Sequence, residues 1–363
     1  MKTKRRHFIG KLAFTAAGIS LLPLNMKSSV LNQRSHRSFL DKENSNSQTR
    51  WGDWRQLDNL LEGWDQTDTG CIVKVDGTYH IFYNVHGGGE GVDGEWIICH
   101  ATSQNGIDWV SPEPVLHYSD EIDNSVNTGC SDPSVLYFNG AFHMWYVYKL
   151  KGGYNKTDPV PKHQWQIGYA TSVNGNDWVK KSDKLHFHPT LKNDFFKATH
   201  GLEPRIVYID KKNLWMYYIK DFSNSVTGTF RTVSHDGGLT WGPQEMGEGM
   251  HKMDRCWHVF WYKGNFHSVY SLRGEHPGNI YIADSKDGLN WENHRLFVGD
   301  GSWSDANCIY PAGIKEDFPQ GLCKGNTLES DDWIFLIKTL YRPYHRMGLA
   351  RNLTQGLQLN PTK

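Results

Sequence analysis

The sequence lacks the features that most directly identify nucleic-acid-binding proteins and several classes of hydrolase. Its 39 Lys and Arg residues balance 39 Asp and Glu residues, and no basic block is available to bind a phosphate backbone. It contains neither a Gly-x-Ser-x-Gly turn nor a His-Glu-x-x-His pair, so nothing indicates a serine hydrolase or a zinc peptidase. Its six cysteines match neither a zinc site nor a dense disulfide framework. We therefore expect no nucleic-acid partner, no metal ligand set and no required cofactor.

Helical periodicity is also nearly absent, whereas aromatic residues make up 13% of the chain and glycine occurs 36 times. Short apolar runs with period-2 alternation, bounded by turn residues, predict strands along most of the chain. Five of these runs open a hairpin, and a third strand follows each hairpin. The hairpins begin near Cys71, Ser134, Arg205, Cys256 and Asn307. The fold is therefore expected to be all-β.

A short phrase, Ser-x-Asn/Asp-Gly-x-x-Trp, closes four of these units. It occurs at 103–109, 172–178 and 285–291, with one extra residue at 234–241, and a degenerate copy without Trp lies at 348–352. Asn, Asp and Gly tolerate the left-handed backbone of a tight turn, and Ser and Asp side chains accept hydrogen bonds from nearby amides. Such a repeat in a β-rich chain predicts a radial architecture. We expect a five-bladed β-propeller with about four antiparallel strands in each blade.

The beginning of the sequence is similar to a targeting segment. Two adjacent arginines, Arg5 and Arg6, precede an apolar stretch that Gly18 and Pro23 interrupt, which makes it a poor membrane span. This pattern resembles a twin-arginine export signal, although a short anchor helix is an alternative. The predicted parts are an export signal at 1–27, a linker at 28–48 and the propeller at 49–363. We expect an exported protein, periplasmic or extracellular, without a stable membrane span once mature.

Three acidic residues stand at the openings of the first three inner strands: Asp68, Asp132 and Glu203. The starts of the innermost strands of a propeller converge around its central channel, so these side chains are expected to share one pocket. Neighbouring carboxylates repel one another, which raises the pKa of at least one and supplies both a protonated acid and an ionised base. Hydrolysis of a glycosidic bond needs that pair. The alternative is that each acid merely caps a strand end.

The same residues carry a resemblance to a known group of enzymes. Residues 68–83 resemble the first-blade motif of glycoside hydrolase family 32, from the acid to the Tyr-His-Ile-Phe-Tyr ending. Residues 131–135 resemble the Arg-Asp-Pro motif of families 32 and 43, and Glu203 with Pro204 resembles the third-blade motif that contains a glutamate. Together with the closing turns, the sequence is similar over most of 50–350 to the five-bladed propeller glycoside hydrolases of families 32, 43, 68 and 117.

The resemblance implies a role for each acid. Asp68 would be the nucleophile of a retaining enzyme or the base that activates water in an inverting one, and Glu203 would be the general acid. Asp132 would bind substrate hydroxyls and tune the pKa of the acid. Thr69 replaces the proline of the motif and Ser131 replaces its arginine, which marks a divergent member. Both stereochemical outcomes stay open, since a carboxyl separation of about 5 Å gives retention and about 6.5 Å or more gives inversion.

Other residues at the blade openings are candidate substrate contacts. They are Trp64, His200, Arg205, Arg255, His258 and Asp305. His258 lies inside an inner strand, where a core histidine is favoured over a ligand to a structural cation in the channel. Arg255 suits either the balancing of the acidic cluster or an anionic substrate, and Asp305 suits either sugar hydroxyls or a strand cap.

These expectations favour an exported glycoside hydrolase that acts on terminal bonds of plant or algal oligo- or polysaccharides. The main alternative is a non-catalytic carbohydrate-binding propeller, which would have the same aromatic rim but scattered carboxylates. A sialidase-like enzyme needs an arginine cluster, whereas only Arg205 and Arg255 stand at blade openings. A phosphate-dependent enzyme that cleaves mannosides needs a basic phosphate site, which the sequence does not indicate. The sequence predicts no particular oligomeric state.

Overall fold

The computed structural model describes residues 53–57, 64–87, 96–117, 129–149, 165–181, 186–187, 203–220, 228–262, 264–272, 280–298, 305–311, 326–327, 333–340 and 346–353. All of them belong to the unit Gln48–Lys363. The predicted export signal, the predicted linker and His200 lie outside these residues. Within the ranges given, no helix has the length and apolar character needed to cross a membrane.

The described chain is almost entirely β-strand, and its strands fall into five groups of antiparallel neighbours. The first strand is β1 (Asp53–Leu57). The first group contains β2 (Trp64–Val75), β3 (Thr78–Gly87), β4 (Trp96–Ser103) and β5 (Val110–Leu116). The second contains β6 (Gly129–Phe138), β7 (Ala141–Lys149), β8 (Trp165–Ser172) and β9 (Val179–Lys180). One parallel pairing, Trp96 with Gly129, joins β4 to β6.

The third group follows a short strand, β10 (His186–Phe187). It contains β11 (Arg205–Tyr208), β12 (Leu214–Lys220) and β13 (Gly228–Ser234), and the next strand, β14 (Thr240–Trp241), pairs in parallel with β10. The fourth group, which follows a 3-10 turn at Met250–Lys252, contains β15 (Met253–Tyr262), β16 (Asn265–Leu272), β17 (Ile280–Ser285) and β18 (Glu292–Val298). The last strands are β19 (Asp305–Pro311), β20 (Asn326–Thr327), β21 (Trp333–Leu340) and β22 (Arg346–Leu353). All five predicted hairpins and their third strands are therefore present.

The fifth group takes its outer strand from the opposite end of the domain. Its order is β19, β21, β22 and then β1, which pairs antiparallel with β22 from Asp53 opposite Arg351 to Leu57 opposite Met347. Strands from the two ends of the domain therefore share one sheet. Separating these ends requires the loss of a complete ladder of backbone hydrogen bonds.

The first strands of the groups, called the inner strands below, contact one another in succession. β2 contacts β6, β6 contacts β11, β11 contacts β15, β15 contacts β19, and β19 contacts β2. At two of these contacts, a side chain of one inner strand accepts a hydrogen bond from a backbone amide of the next inner strand. Cys71 Sγ lies 3.3 Å from the Val135 amide nitrogen, and Ser134 Oγ accepts a hydrogen bond from the Ile206 amide at 2.9 Å.

The repeated turns have the structure that their sequence predicts. In the turn of the fourth group, the Ser285 hydroxyl accepts a hydrogen bond from the Gly288 amide at 2.9 Å, and the Asp287 carboxylate accepts from the amides of Leu289 and Asn290. The same bonds recur in the other three turns. Gly288 has a φ of 67°, in the left-handed region that glycine adopts without strain.

The tryptophan of a turn packs against the preceding group of strands. Three such pairs have ring centroids between 5.6 and 6.3 Å apart: Phe82 with Trp178, Trp145 with Trp241, and Tyr217 with Trp291. Aromatic pairs of this kind contribute about 0.5–1.5 kcal/mol beyond the area that they bury. These three tryptophans therefore join successive groups of strands.

The described cysteines are part of the packing. Cys71, Cys99, Cys130 and Cys256 are buried. Three of them lie on inner strands: Cys71 on β2, Cys130 on β6 and Cys256 on β15. The side chains of Cys308 and Cys323 lie outside the described part of the chain.

Histidines occupy the second strand of three hairpins, and each bonds to a residue of the third strand. The pairs are His80 with His100 at 2.9 Å, His143 with Tyr169 at 2.6 Å, and His267 with Asp284 at 2.8 Å. Burial lowers the pKa of His143 to about 4, and burial together with the neighbouring His100 lowers the pKa of His80 to about 4. Both imidazoles are therefore neutral in the folded protein at neutral pH.

We expect the domain to lose stability as the pH falls from 7 to 5. Unfolded histidine has a pKa near 6.5, so His80 and His143 take up protons on unfolding in this range. The contribution of these neutral histidines to the free energy of unfolding is fully present above pH 6.5 and is lost progressively towards pH 4. For His143 the loss at pH 5 is on the order of 2 kcal/mol. Urea unfolding across this range measures the loss.

The variant His143→Phe tests the source of that loss. Phenylalanine keeps an aromatic ring beside Phe138, whose ring centroid lies 3.8 Å from that of His143, but it cannot be protonated. The variant should therefore lose less free energy between pH 7 and pH 5 than the wild type, while His235→Gln on an exposed turn serves as the control. An unchanged pH slope in His143→Phe would contradict the explanation.

Candidate functional site

Each of the first two inner strands has a β-bulge at its predicted acid. The pairing of β2 with β3 shifts just after Thr67, where Asp68 lies. The pairing of β6 with β7 shifts in the same way just after Ser131, where Asp132 lies. A bulge places an extra residue outside the ladder and changes the direction of its side chain. The two acids thus interrupt the ladder near the same end of their hairpins.

Asp132 and Glu203 both have a left-handed backbone, with φ values of 51° and 34°. Each precedes a proline, Pro133 or Pro204, and the residue before proline is normally restricted to extended conformations. A strained residue of this kind costs on the order of 1–3 kcal/mol and persists only where its surroundings enforce it, most often at functional sites. Both acids are buried, with 8% and 7% of their surface exposed.

One hydrogen bond connects the strands of these two strained acids. Ser134, which follows Asp132 by two residues, accepts the amide proton of Ile206, which follows Glu203 by three residues. Ser134 is buried, so the bond is shielded from competing water. The openings of the second and third inner strands are therefore held side by side.

Asn84 makes a similar connection between the first and second groups. Its Oδ1 accepts a hydrogen bond from the amide of Asp132 at 3.4 Å. Asn84 is buried on β3, opposite the bulge that contains Asp68. The backbones of the three predicted acids thus lie at the same end of three adjacent inner strands. Sequence reasoning missed Asn84, whose one signal is that a polar residue directly follows the Tyr-His-Ile-Phe-Tyr ending.

The carboxylate of Asp132 has a neutral partner. The hydroxyl of Ser131 donates a hydrogen bond to Asp132 Oδ2 at 2.9 Å. Ser131 stands where the Arg-Asp-Pro motif has an arginine. The hydroxyl dipole of serine therefore replaces a full positive charge at this position. This hydrogen bond helps to orient the Asp132 carboxylate.

Arg205 and His258 lie in the interior on neighbouring inner strands, β11 and β15. Arg205 is 1% exposed, and its Nη1 donates a hydrogen bond to the carbonyl of Pro204 at 2.9 Å. Burial and the charge of Arg205 lower the pKa of His258 to about 3, so this imidazole stays neutral at neutral pH. Among the described residues, no group of three or more His, Cys, Asp or Glu could hold a metal ion.

The other predicted site residues are placed by their backbones alone. Trp64 and Asp68 belong to β2, Arg255 belongs to β15, and Asp305 is the first residue of β19. Their side chains lie outside the described part of the structure. Because β19 contacts both β2 and β15, these four residues belong to inner strands that touch one another.

Replacing Ser134 by alanine is expected to lower the free energy of unfolding by about 1–3 kcal/mol, because the Ile206 amide loses its buried acceptor. Ser134→Cys keeps a weak acceptor, as Cys71 does towards Val135, and should lose less. Urea unfolding compares the two variants. Equal losses would show that the hydroxyl does not stabilise the contact between β6 and β11.

Comparison with solved structures identifies the fold. No protein-family model and no curated protein sequence match the chain. A family 117 glycoside hydrolase from the marine bacterium Zobellia galactanivorans has a TM-score of 0.56 and 14% identity, over 83% of this chain and 90% of that one. A structure from family 130, described as mannoside phosphorylases that include glycoside hydrolases targeting β-1,2-mannosidic linkages, has a TM-score of 0.53 and 14% identity, over 84% and 95%. The Bombyx mori family 32 β-fructofuranosidase has a TM-score of 0.51 and 13% identity, over 79% and 61%.

The chain is thus similar in structure to the propeller-type glycoside hydrolases, in agreement with the resemblance in its sequence. Several families of this class match over most of the chain, and identities of 13–14% mean that the similarity is one of fold. The carboxylates of the inner strands must therefore be assigned from the chain's own geometry.

Proposed function

We propose that this protein is a five-bladed β-propeller glycoside hydrolase that removes terminal sugars from plant or algal oligo- or polysaccharides. Five strand groups support the blade count, as do the contacts of each inner strand with the next and of the fifth with the first. In this architecture β1 completes the outer edge of the last blade. The similarity to propeller-type glycoside hydrolases supports the class of enzyme.

One observation carries the proposal: two buried acids, Asp132 and Glu203, hold strained left-handed backbones before proline at the openings of adjacent inner strands. A strand cap needs no such conformation, since an extended Asp or Glu at a strand end already reaches nearby amides. The strain is repeated in two groups, and the bond between Ser134 and Ile206 joins those two groups. Its recurrence favours a functional constraint over an accident of one turn.

The proposed chemistry uses the acids in distinct roles. Glu203 gives its proton to the glycosidic oxygen as the bond to the anomeric carbon breaks, and Asp68 either attacks that carbon or deprotonates the water that does. If Asp68 attacks, water later cleaves the sugar–Asp68 ester and returns a proton to Glu203. Asp132, oriented by Ser131, contacts sugar hydroxyls and influences the protonation of Glu203. This acid–base hydrolysis requires no cofactor.

The inner strands support action at chain ends. Most of their described side chains are buried, as at Cys71, Arg205 and His258. A propeller channel filled at depth leaves a pocket that admits a terminal sugar and excludes a continuous chain.

A substrate screen with a matched pair of variants tests the proposal. Wild type, Asp68→Asn and the control Asp76→Asn, an exposed acid in the turn of the same hairpin, are assayed on aryl glycosides and on plant and algal oligosaccharides. We expect Asp68→Asn to lose about 10²–10⁴-fold in rate and Asp76→Asn to lose nothing measurable. The anomer formed first, read by NMR, distinguishes retention from inversion.

Two outcomes would overturn the proposal. Full activity in Asp68→Asn would remove Asp68 from the mechanism. Saturable binding of an oligosaccharide without turnover by the wild type would identify a carbohydrate-binding propeller. Retention of the anomeric configuration by the wild type would identify Asp68 as the nucleophile, and inversion would identify it as the base.

A further inference from the structure

Arg205 occupies a position that holds a small residue in the two preceding groups. Cys71 pairs with Phe82, Ser134 pairs with Trp145, and Arg205 pairs with Tyr217. The turn tryptophan of the next group packs against each of these aromatic partners. The three inner-strand residues therefore occupy equivalent positions. They are therefore successive copies of one position in the repeat.

The side chain at this position behaves differently in the third group. Cys71 and Ser134 each contact the backbone of the next inner strand, at Val135 and Ile206. The Nη1 of Arg205 donates a hydrogen bond to the carbonyl of Pro204, on its own chain segment. A guanidinium that is 1% exposed carries a large desolvation cost, which small neutral residues avoid in the other two groups.

This hydrogen bond acts on the peptide between Pro204 and Arg205, one residue beyond Glu203. The pyrrolidine ring fixes φ at Pro204, and the bond to its carbonyl fixes the orientation of the next peptide plane. One residue further on, the amide of Ile206 is held by Ser134. The segment after Glu203 is thus anchored at two successive points, which opposes relaxation of the strained backbone at Glu203 (φ 34°).

We propose that Arg205 is a positioning residue for Glu203, which it holds in its left-handed conformation through the carbonyl of Pro204. The inference rests on the proposed glycosidase function for its consequence in catalysis. The hydrogen bond itself is independent of that function. A shift of about 1 Å in a catalytic group can reduce a rate by about 10²-fold, so a loss of that size is expected when the anchor is removed.

The experiment compares Arg205→Met, Arg205→Lys and the control Arg295→Met. Methionine keeps the apolar part of the side chain but removes every donor, whereas lysine can still donate one hydrogen bond to Pro204. Arg295 binds Asp284 in the fourth group, away from the acids, so its loss reports the removal of any partly buried arginine. We expect kcat on an oligosaccharide to fall about 10²-fold in Arg205→Met with KM within about threefold. Arg205→Lys should recover at least a tenth of the wild-type rate.

Amide hydrogen exchange gives a second readout that needs no substrate. In Arg205→Met, exchange in the segment 203–208 should rise at least about tenfold, while exchange in 134–145 stays within about twofold. Unchanged exchange in 203–208 would overturn the inference even if the protein proves to bind sugar without hydrolysing it. Uniformly faster exchange, or equal loss of kcat in Arg295→Met, would reduce Arg205 to a structural role and also overturn it.

The two proposals fail in different ways. If Asp68→Asn is inactive but Arg205→Met retains the wild-type kcat, the glycosidase assignment stands and the positioning role is wrong. If Arg205→Met does not fold, Arg205→Lys carries the test, because its single flexible ammonium holds the Pro204 carbonyl less firmly than the planar guanidinium does. Its kcat should then lie between a tenth of the wild-type value and the full value, with faster exchange in 203–208. Wild-type kcat together with wild-type exchange in Arg205→Lys would overturn the inference.

Discussion

Glutamine in place of Glu203 is expected to slow the hydrolysis of an oligosaccharide by about 10²–10⁴-fold, the usual contribution of a general acid. The carboxamide has nearly the same shape as the carboxylic acid, so it fits the buried site, but it has no acidic proton for the leaving alcohol. The strained backbone at Glu203 and the following Pro204 are unchanged by the substitution. The variant should therefore fold and still bind sugar.

The leaving group separates the loss of the acid from a loss of binding. A dinitrophenolate leaves without protonation, so Glu203→Gln should hydrolyse the dinitrophenyl glycoside within about tenfold of the wild-type rate. The basic limb of the pH profile of kcat/KM, which reports the acid of the free enzyme, should disappear. Glu248→Gln, the same change at an exposed residue, is the control. Equal losses on both substrates would show that Glu203 does not donate the proton.

The repeated turns could be predicted from sequence because their determinants are local. A serine hydroxyl, an Asn or Asp carbonyl and a left-handed glycine satisfy one another within seven residues, as at Ser285 and Gly288. The hairpins follow from period-2 patterns of the same short range. The pairing of β1 with β22 could not be predicted in this way, because Asp53 and Arg351 are distant in sequence and neither strand carries a signal for the other.

The site shows the same division between local and distant causes. The positions of Asp68, Asp132 and Glu203 follow from the repeat, since Asp68 and Asp132 lie near the starts of β2 and β6 and Glu203 comes just before β11. The left-handed backbone at Asp132 depends on contacts with another group, such as the Asn84 carboxamide, which no local pattern encodes. Arg205 is buried on β11, which contacts β15, and this burial also depends on packing between groups. Sequence therefore predicts which residues reach the site, and packing between groups determines how they are held.

Packing shows whether the turn tryptophans bind sugars or belong to the core, which amino-acid composition cannot decide. Aromatic side chains suit both sugar platforms and a core. Trp241 and Trp291 are buried, with 1% and 4% of their surface exposed, and pack between groups of strands. They therefore belong to the core, and sugar contacts must come from other residues.

Alanine at Gly238 is expected to lower the free energy of unfolding by about 3 kcal/mol or more. Gly238 has a φ of 90°, and an added Cβ would lie 2.4 Å from Cζ2 of the fully buried Trp145. A left-handed alanine costs about 1–2 kcal/mol, and overpacking a buried ring costs about 1–3 kcal/mol more. Gly140→Ala is a matched control, because its φ is 75° and nothing lies within 4 Å of the added Cβ.

The difference between the two glycine variants links the packing of the groups to the site. Trp145 pairs with Ser134, whose hydroxyl holds the amide of Ile206 near Glu203. Gly238→Ala should therefore reduce kcat as well as stability, whereas Gly140→Ala should change stability by its backbone cost alone. Urea unfolding and the oligosaccharide assay measure the two effects. Equal destabilisation by both variants would mean that Trp145 yields to the new methyl group, and the turn would then not hold the opening of the second inner strand in place.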